Sequence, residues 1–473
     1  MYPQVLLITA LSALPIPQES IRLEAEEAQL VGVAAENARP GFSGKGYVTG
    51  FDKEGDRITF TVRAKAGLYA VKVGYSAPHG EKGYDLNVNG GRISGMFPPT
   101  ASAFASVFAG KVELKAGENT LVLEKGWGYF DIDYLELTPA RPAPPPQKPP
   151  LTLADRQATP KTRALMRYLV DLYGDKTLSG QYGEEDSDYI LRTTGRAPAI
   201  FGGDFMDYSP SRIAYGANPE GLTERFIRRA RAGHILTLMW HWNAPSGLRD
   251  KTYTDSRGQT IDARWYKGFY TNATTFDVQR ALADPRSEDY RLILRDIDAI
   301  AAQLRKLANA DIPVLWRPLH EADGRWFWWG AKGSEPFRKL WRLMFDRLTR
   351  YHGLHNLIWV YTGFPSEWYP GDDLVDIIGM DSYPGDPGDP LSGTWESLQQ
   401  TLNGRKLLAL TEFGGVPDIE KMLRFGVRWS FFLPWVGDLG PRKMSASELK
   451  RIFSQDRVIT LEELPAKLRA HSP

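Results

Sequence analysis

From about residue 19 to residue 140, apolar and polar side chains alternate at every second position in short runs. "DRITFTVRA", "LYAVKVGYS", "YDLNVNG" and "NTLVLEKG" are examples, separated by Gly and Asn turns. A period of two puts one face of each run on a core and the other in water, which predicts an antiparallel β-sandwich of the jelly-roll kind. The pattern stops at "RPAPPPQKPP", residues 141–150, where repeated proline forbids helix and central strand and favours an extended polyproline spacer. From 151 to 473 short apolar runs alternate with amphipathic, Arg-rich stretches of helix length such as "TERFIRRARAG" and "LRDIDAIAAQLRKLANA". The eight candidate strands are 177–182, 199–205, 235–242, 313–321, 356–362, 375–383, 406–414 and 430–437. Eight strand signals with helical intervals predict a (β/α)₈ barrel rather than an open sheet.

Composition narrows the function classes. A formal charge of +1 leaves no basic field for phosphate backbones, so nucleic acid is not an expected partner. The absence of cysteine removes disulfides, thiolate metal sites and a cysteine nucleophile. "VLLITALSAL", residues 5–14, is too short to span a bilayer; no membrane partner is expected. Residues 1–18 are read as a signal peptide or disordered leader, and a secreted, monomeric protein is expected, although no Lys or Arg precedes Arg22 to form a basic n-region.

In a barrel of this kind chemistry sits where strands end and loops begin. Four strands close on a carboxylate: Asp204 in "GGDF", Glu321 in "PLHE", Asp381 in "GMDSY" and Glu412 in "TEFGG", joined at the rim by His241 and His320. Taken singly, each acid reads as a rim salt bridge, with Arg317 the obvious partner for Glu321. Together they point to acid/base work between carboxyls of different pKa, or to a metal site. Zinc on His241, His320 and a carboxylate is the competing reading, but neither H-x-H nor H-E-x-x-H spacing is present. Trp240, Trp242, Trp326, Trp328, Trp329, Tyr383 and Trp435 lie at or just past strand ends. Flat rings at a rim suit the C–H faces of pyranoses. On this reading Glu321 protonates a sugar leaving group while neighbouring rings hold the sugar.

Residues 160–440 resemble glycoside hydrolase family 26, on the stretches "WRPLHEADGRWFWWG", "GMDSYP" and "LTEFGG". The resemblance selects two of the four acids, implying Glu321 as acid/base and Glu412 as nucleophile of a retaining mechanism. It implies substrate contacts from His241, His320, Trp326, Asp381, Tyr383 and Trp435, with Tyr383 hydrogen-bonded to the nucleophile. It also implies an endo-β-1,4-mannanase acting on mannan, glucomannan or galactomannan without a catalytic cofactor. The alternatives on the same scaffold are a β-1,3:1,4-glucanase (lichenase) or a β-1,3-xylanase; a metal-dependent hydrolase and a non-catalytic polysaccharide-binding protein are more remote.

Residues 20–138 resemble carbohydrate-binding module family 35, on "LEAEEA" and "GWGYFDIDYLEL". Period-two spacing is expected to place Glu24 with Glu26, and Asp131 with Asp133, on common strand faces, oxygen-rich clusters suited to a hard cation. The resemblance implies a structural calcium, with Glu24, Glu26 and Asp133 as ligands, and Trp127 as a sugar-stacking ring. Solvated strand charges and a core-capping ring are the competing readings.

Overall fold

The computed structural model describes residues 20–469 and divides into two compact units, one ending at Arg141 and the other beginning at Pro142. The leader expected over 1–18 lies outside the described residues. No helix among them is long and apolar enough to cross a membrane.

The first unit contains two antiparallel sheets. One runs 34–36, 47–49, 131–140, 67–76, 105–114, with 21–24 also paired to 131–140; the other runs 29–31, 57–64, 117–127, 82–88, 91–97. The alternating positions named above supply its core: Ile58 and Phe60 from one run, Val71 and Val73 from the next, Leu121 and Leu123 from another, all buried. Glu24 closes a strand, but Glu26 lies in the 3₁₀ turn Ala25–Glu27, so the two do not share a strand face as expected. A bulge between Ile132 and Tyr134 likewise separates the partners of Asp131 and Asp133. Asp131 pairs with Arg39, whereas Asp133 takes Ser43.

The second unit is an eight-stranded parallel barrel. Its strands are β1 (Thr177–Tyr182), β2 (Ile200–Asp204), β3 (Ile235–Met239), β4 (Val314–Arg317), β5 (Leu357–Thr362), β6 (Ile377–Ser382), β7 (Leu407–Phe413) and β8 (Phe431–Pro434). Each pairs with the next, and β1 closes the ring by pairing with both β8 and β2. These strands are buried almost throughout because helices cover the outside and side chains fill the inside, and their polar members, such as Thr177, Ser179 and Gln181 of β1, are buried with them. The helix Glu288–Asn309 shows the local logic: Ser287 caps its first turn by accepting from the Tyr290 N–H, acids follow, and Lys306 sits at the far end against the negative pole.

The proline-rich segment is extended, as its composition requires, but it is no free spacer. Pro146 and Pro149 are buried, the Ala143 N–H donates to the Phe425 carbonyl at 3.3 Å, and the Gln147 N–H to Asn403 Oδ1 at 2.7 Å. Proline can lie along a surface in this way because its ring adds apolar contact and it has no N–H to leave unpaired.

Candidate active site

The site is built from the carboxyl ends of the strands. Along β6 and β7 the register runs Met380 opposite Leu410 and then Asp381 opposite Glu412, so Thr411 is an extra residue in a bulge. Bulges re-aim side chains, and this one brings two acids side by side. Thr411 is used as well, its hydroxyl donating to Asp381 Oδ1 at 2.7 Å. Gly379 makes room for it, since a Cβ there would lie 2.4 Å from Thr411 Oγ1.

Glu321 arrives differently. Past β4 the chain turns through Leu319 (φ 51°) and Glu321 (φ 52°), both left-handed, a conformation that costs a non-glycine residue about 1–2 kcal/mol. This turn sends the Glu321 carboxyl over the barrel mouth. One oxygen from each of Glu321, Asp381 and Glu412 lies within 4.8 Å of the other two.

Three acids this close need a counter-charge, and Arg317 supplies it. Its guanidinium is fully buried, donating to Asp381 Oδ2 at 2.8 Å, to Glu412 Oε1 and to Thr362 Oγ1 at 3.1 Å. The expectation that Arg317 pairs with Glu321 is therefore wrong. It points into the barrel beneath β6 and β7, while the left-handed turn lifts Glu321 away. Glu412 also accepts from the Tyr383 hydroxyl at 2.5 Å, whereas among the described residues Glu321 accepts from the indole N–H of Trp326 alone, at 3.1 Å.

These partners separate two otherwise similar groups. Burial, then the charges of Asp381 and Glu412, push Glu321 up to about 8. Glu412, still more deeply buried, is also raised, to about 7, but Arg317 and Tyr383 favour its ionised form. The pair titrates as a unit, and Arg317 and Tyr383 bias the charge of its singly ionised form toward Glu412. In that singly ionised form the remaining proton sits on Glu321, which among the described residues has no cation and a single indole donor beside it.

Trp326 tests this assignment, because its hydrogen bond holds the Glu321 pKa down. Trp326→Phe keeps a ring and removes the donor, so Glu321 retains its proton to higher pH. The alkaline limb of kcat/KM is expected to move up by about half a pH unit. A limb that stays put or moves down in a pH–rate profile contradicts the assignment.

Only part of the expected aromatic lining is exposed. Trp326 and Tyr383 are open to solvent and Trp435 is half-buried, its ring 5.4 Å from Tyr182 and 6.1 Å from His241. Trp240, Trp242, Trp328 and Trp329 are fully buried, contrary to the sequence reading. Trp240 and Trp242 stack at 4.2 Å, and Trp328 donates to the Trp242 carbonyl at 2.6 Å. The indole N–H of each of these four finds an acceptor. They are the footing of the loop that carries Glu321.

His241 and His320 do come together, but with their Nε2 atoms 3.1 Å apart, and Asp204 Oδ2 takes His241 Nδ1 at 2.6 Å. No carboxylate joins both rings to complete a zinc triad among the described residues. Asp204 therefore stands apart from the other three acids and orients His241. Neither this role nor that of Arg317 was visible in the sequence; a charged residue ending an apolar strand was the available signal.

In the first unit Glu24, Glu26 and Asp133 surround the loop Ser43–Lys45. Ser43 Oγ donates to Glu24 Oε2 (2.7 Å) and Asp133 Oδ1 (3.0 Å), and the Lys45 N–H to Glu26 Oε1 (2.6 Å). Glu26 Oε2 is buried with no hydrogen-bond partner, and the donors are all oxygens, as a hard cation requires, although one oxygen from each of the three acids does not come within 4.8 Å of the other two. Trp127, 51% exposed, lies across Gly83, where a Cβ would sit 2.4 Å from its indole. It is a flat ring on a glycine bed, with open surface left for a ligand.

The comparisons agree with this architecture. The model of Glycosyl hydrolase family 26 matches residues 154–463, and that of Carbohydrate binding module (family 35) matches residues 21–140. The chain is 41% identical to a mannan endo-1,4-beta-mannosidase of Thermothelomyces thermophilus over 93% of its own length and 90% of that protein's. It is 32% identical to mannan endo-1,4-beta-mannosidase A of Piromyces, over 97% of this chain and 75% of that one. The crystal structure of the Podospora anserina GH26-CBM35 beta-(1,4)-mannanase superposes with a TM-score of 0.67 at 39% identity, covering 95% of this chain and 99% of that one. With a closed parallel barrel, two glutamates converging over its mouth and a family match across most of its length, the chain belongs to glycosyl hydrolase family 26.

Proposed function

We propose that the chain is an endo-β-1,4-mannanase that cleaves internal bonds of mannan-type polysaccharides with retention of configuration. The carrying observation is the approach of Glu321 to Glu412, one oxygen of each lying within 4.8 Å of the other. Retaining enzymes hold their two carboxyls about 5–5.5 Å apart and inverting ones about 6.5–9.5 Å, since the latter must admit a water. The mannosidase relatives, matched over 90% and 75% of their own length, supply the substrate class.

In the mechanism Glu412 attacks the anomeric carbon and Glu321 gives its proton to the departing oxygen. The glycosidic bond breaks as the ester to Glu412 forms. Glu321, now ionised, takes a proton from water, whose oxygen attacks the anomeric carbon and returns Glu412 as carboxylate. Arg317 and Tyr383 keep Glu412 ionised before attack and receive it again as leaving group. Trp326, Trp435 and Tyr383 offer the sugar rings their flat faces and polar edges, and His241 borders the same space. All these residues come from one barrel, so the site needs no second copy. A polymeric substrate also fits action outside the cell.

Galactomannan, glucomannan, lichenan and β-1,3-xylan, each digested and resolved by size, test the reading. Mixed short oligosaccharides from the first two support it. Release from lichenan or xylan alone selects the other activities, and single sugars released from chain ends rule out endo action.

Glu24, Glu26 and Asp133 would hold calcium in the first unit, where its charge would neutralise these acids and fasten the Ser43–Lys45 loop, while Trp127 takes a sugar. Chelator is expected to lower the melting temperature of the first unit and leave hydrolysis of short soluble mannooligosaccharides unchanged. Glu26→Gln should abolish the calcium-dependent part of that melting temperature. Loss of oligosaccharide hydrolysis on chelation contradicts a purely structural ion.

A further inference from the structure

We propose that Asp204, at the end of β2, is a positioning residue for Glu321, acting through His241 and His320; this rests on the acid/base reading of Glu321. Asp204 Oδ2 accepts from His241 Nδ1 at 2.6 Å, and Oδ1 accepts the N–H groups of His241 and Met206 at 3.1 and 2.8 Å. Those contacts fix the proton of His241 on Nδ1. Its Nε2 lone pair then faces His320 Nε2, 3.1 Å away, and accepts a hydrogen bond from the N–H there. This leaves His320 Nδ1 as an acceptor, in keeping with its burial without any partner, because an orphaned N–H there costs more.

His320 sits between the two left-handed residues, Leu319 and Glu321. Such a turn persists only where its surroundings hold it. Two side-chain hydrogen bonds hold His320: its ring to His241, and its carbonyl to Trp329 Nε1 at 2.9 Å. The first depends on which nitrogen of His241 carries the proton, and Asp204 decides that. The chain Asp204, His241, His320 thus ends on the backbone that aims the proton donor, without itself contacting the scissile bond.

Asp204→Asn is the discriminating variant. Its amide oxygen can keep both backbone contacts, while its NH₂ group faces His241 Nδ1 and forces the other tautomer, putting a buried, unpaired N–H on His320. In the full-length chain, kcat/KM is measured on mannopentaose and on a mannobioside bearing a 2,4-dinitrophenyl group, which leaves without a proton. Asp204→Asn is expected to lose about 100-fold on mannopentaose and no more than about threefold on the aryl substrate, with its melting temperature within about 2 °C of the parent's. Asp204→Ala, less stable, should show the same selectivity. Glu321→Ala run in parallel keeps the two claims apart. If it shows the leaving-group dependence and both Asp204 variants lose equally on the two substrates, or lose nothing, the positioning role is wrong. If Glu321→Ala shows no such dependence, the acid/base reading fails first and the inference falls with it.

Discussion

Glu412→Ala is expected to lower kcat/KM on mannooligosaccharides by about 10⁵-fold, about 7 kcal/mol of barrier at 1.36 kcal/mol per tenfold. Glu412 is the acid held by both Arg317 and Tyr383, and its β7 bulge sets it opposite Asp381. Asp381 is held in its own place by Arg317 and Thr411, so it does not swing into the space that Glu412 leaves. The loss should be alike for activated and unactivated leaving groups, since both need the carbon attacked, and this separates it from Glu321→Ala. A residual rate above about one hundredth of the parent, in steady-state assays on purified protein, removes Glu412 from the role of nucleophile.

The second large effect falls on stability. Arg317 is fully buried and serves Asp381 and Glu412 together. Arg317→Met fills similar space but leaves two carboxyls without their cation, and breaking a buried pair in this way costs about 3–5 kcal/mol. For a unit of this size that is a fall of about 4–7 °C in the barrel's melting transition. Activity should fall further than stability explains, because Glu412, already raised by burial, rises again and is protonated at neutral pH. The acid limb of kcat/KM should therefore move to higher pH. Arg317→Lys should recover part of the stability and less of the activity, one ammonium being unable to fork between two acids. Calorimetry and a pH profile check both halves; an unshifted transition contradicts the counter-charge role.

The barrel was legible because its signals are local. A strand buried on both faces is mostly apolar, and all eight runs from 177–182 to 430–437 contain strands of the fold, with 177–182 the most polar of them. Glu321, Asp381 and Glu412 were found by the same logic, as acids closing apolar runs. What escaped depends on distance across the fold. The partner of Arg317 was misread because the turn at Leu319 and Glu321 separates neighbours in sequence. Trp240, Trp242, Trp328 and Trp329 were placed at the rim although they lie beneath it; position along a strand does not say how deep a loop folds back. The bulge at Thr411 and the turn holding Glu26 broke simple alternation, so the faces assigned to those stretches were only partly right.

The central claim is that Glu412 forms a covalent bond to sugar while Glu321 handles the proton. The most direct measurement uses a 2-deoxy-2-fluoro mannobiosyl fluoride, which slows both steps but leaves easily enough to trap the intermediate. Mass spectrometry of the digested protein should find one glycosyl adduct, on Glu412 within "LTEFGG". An adduct on Asp381 or Glu321, or steady turnover to inverted product with no adduct, contradicts the account.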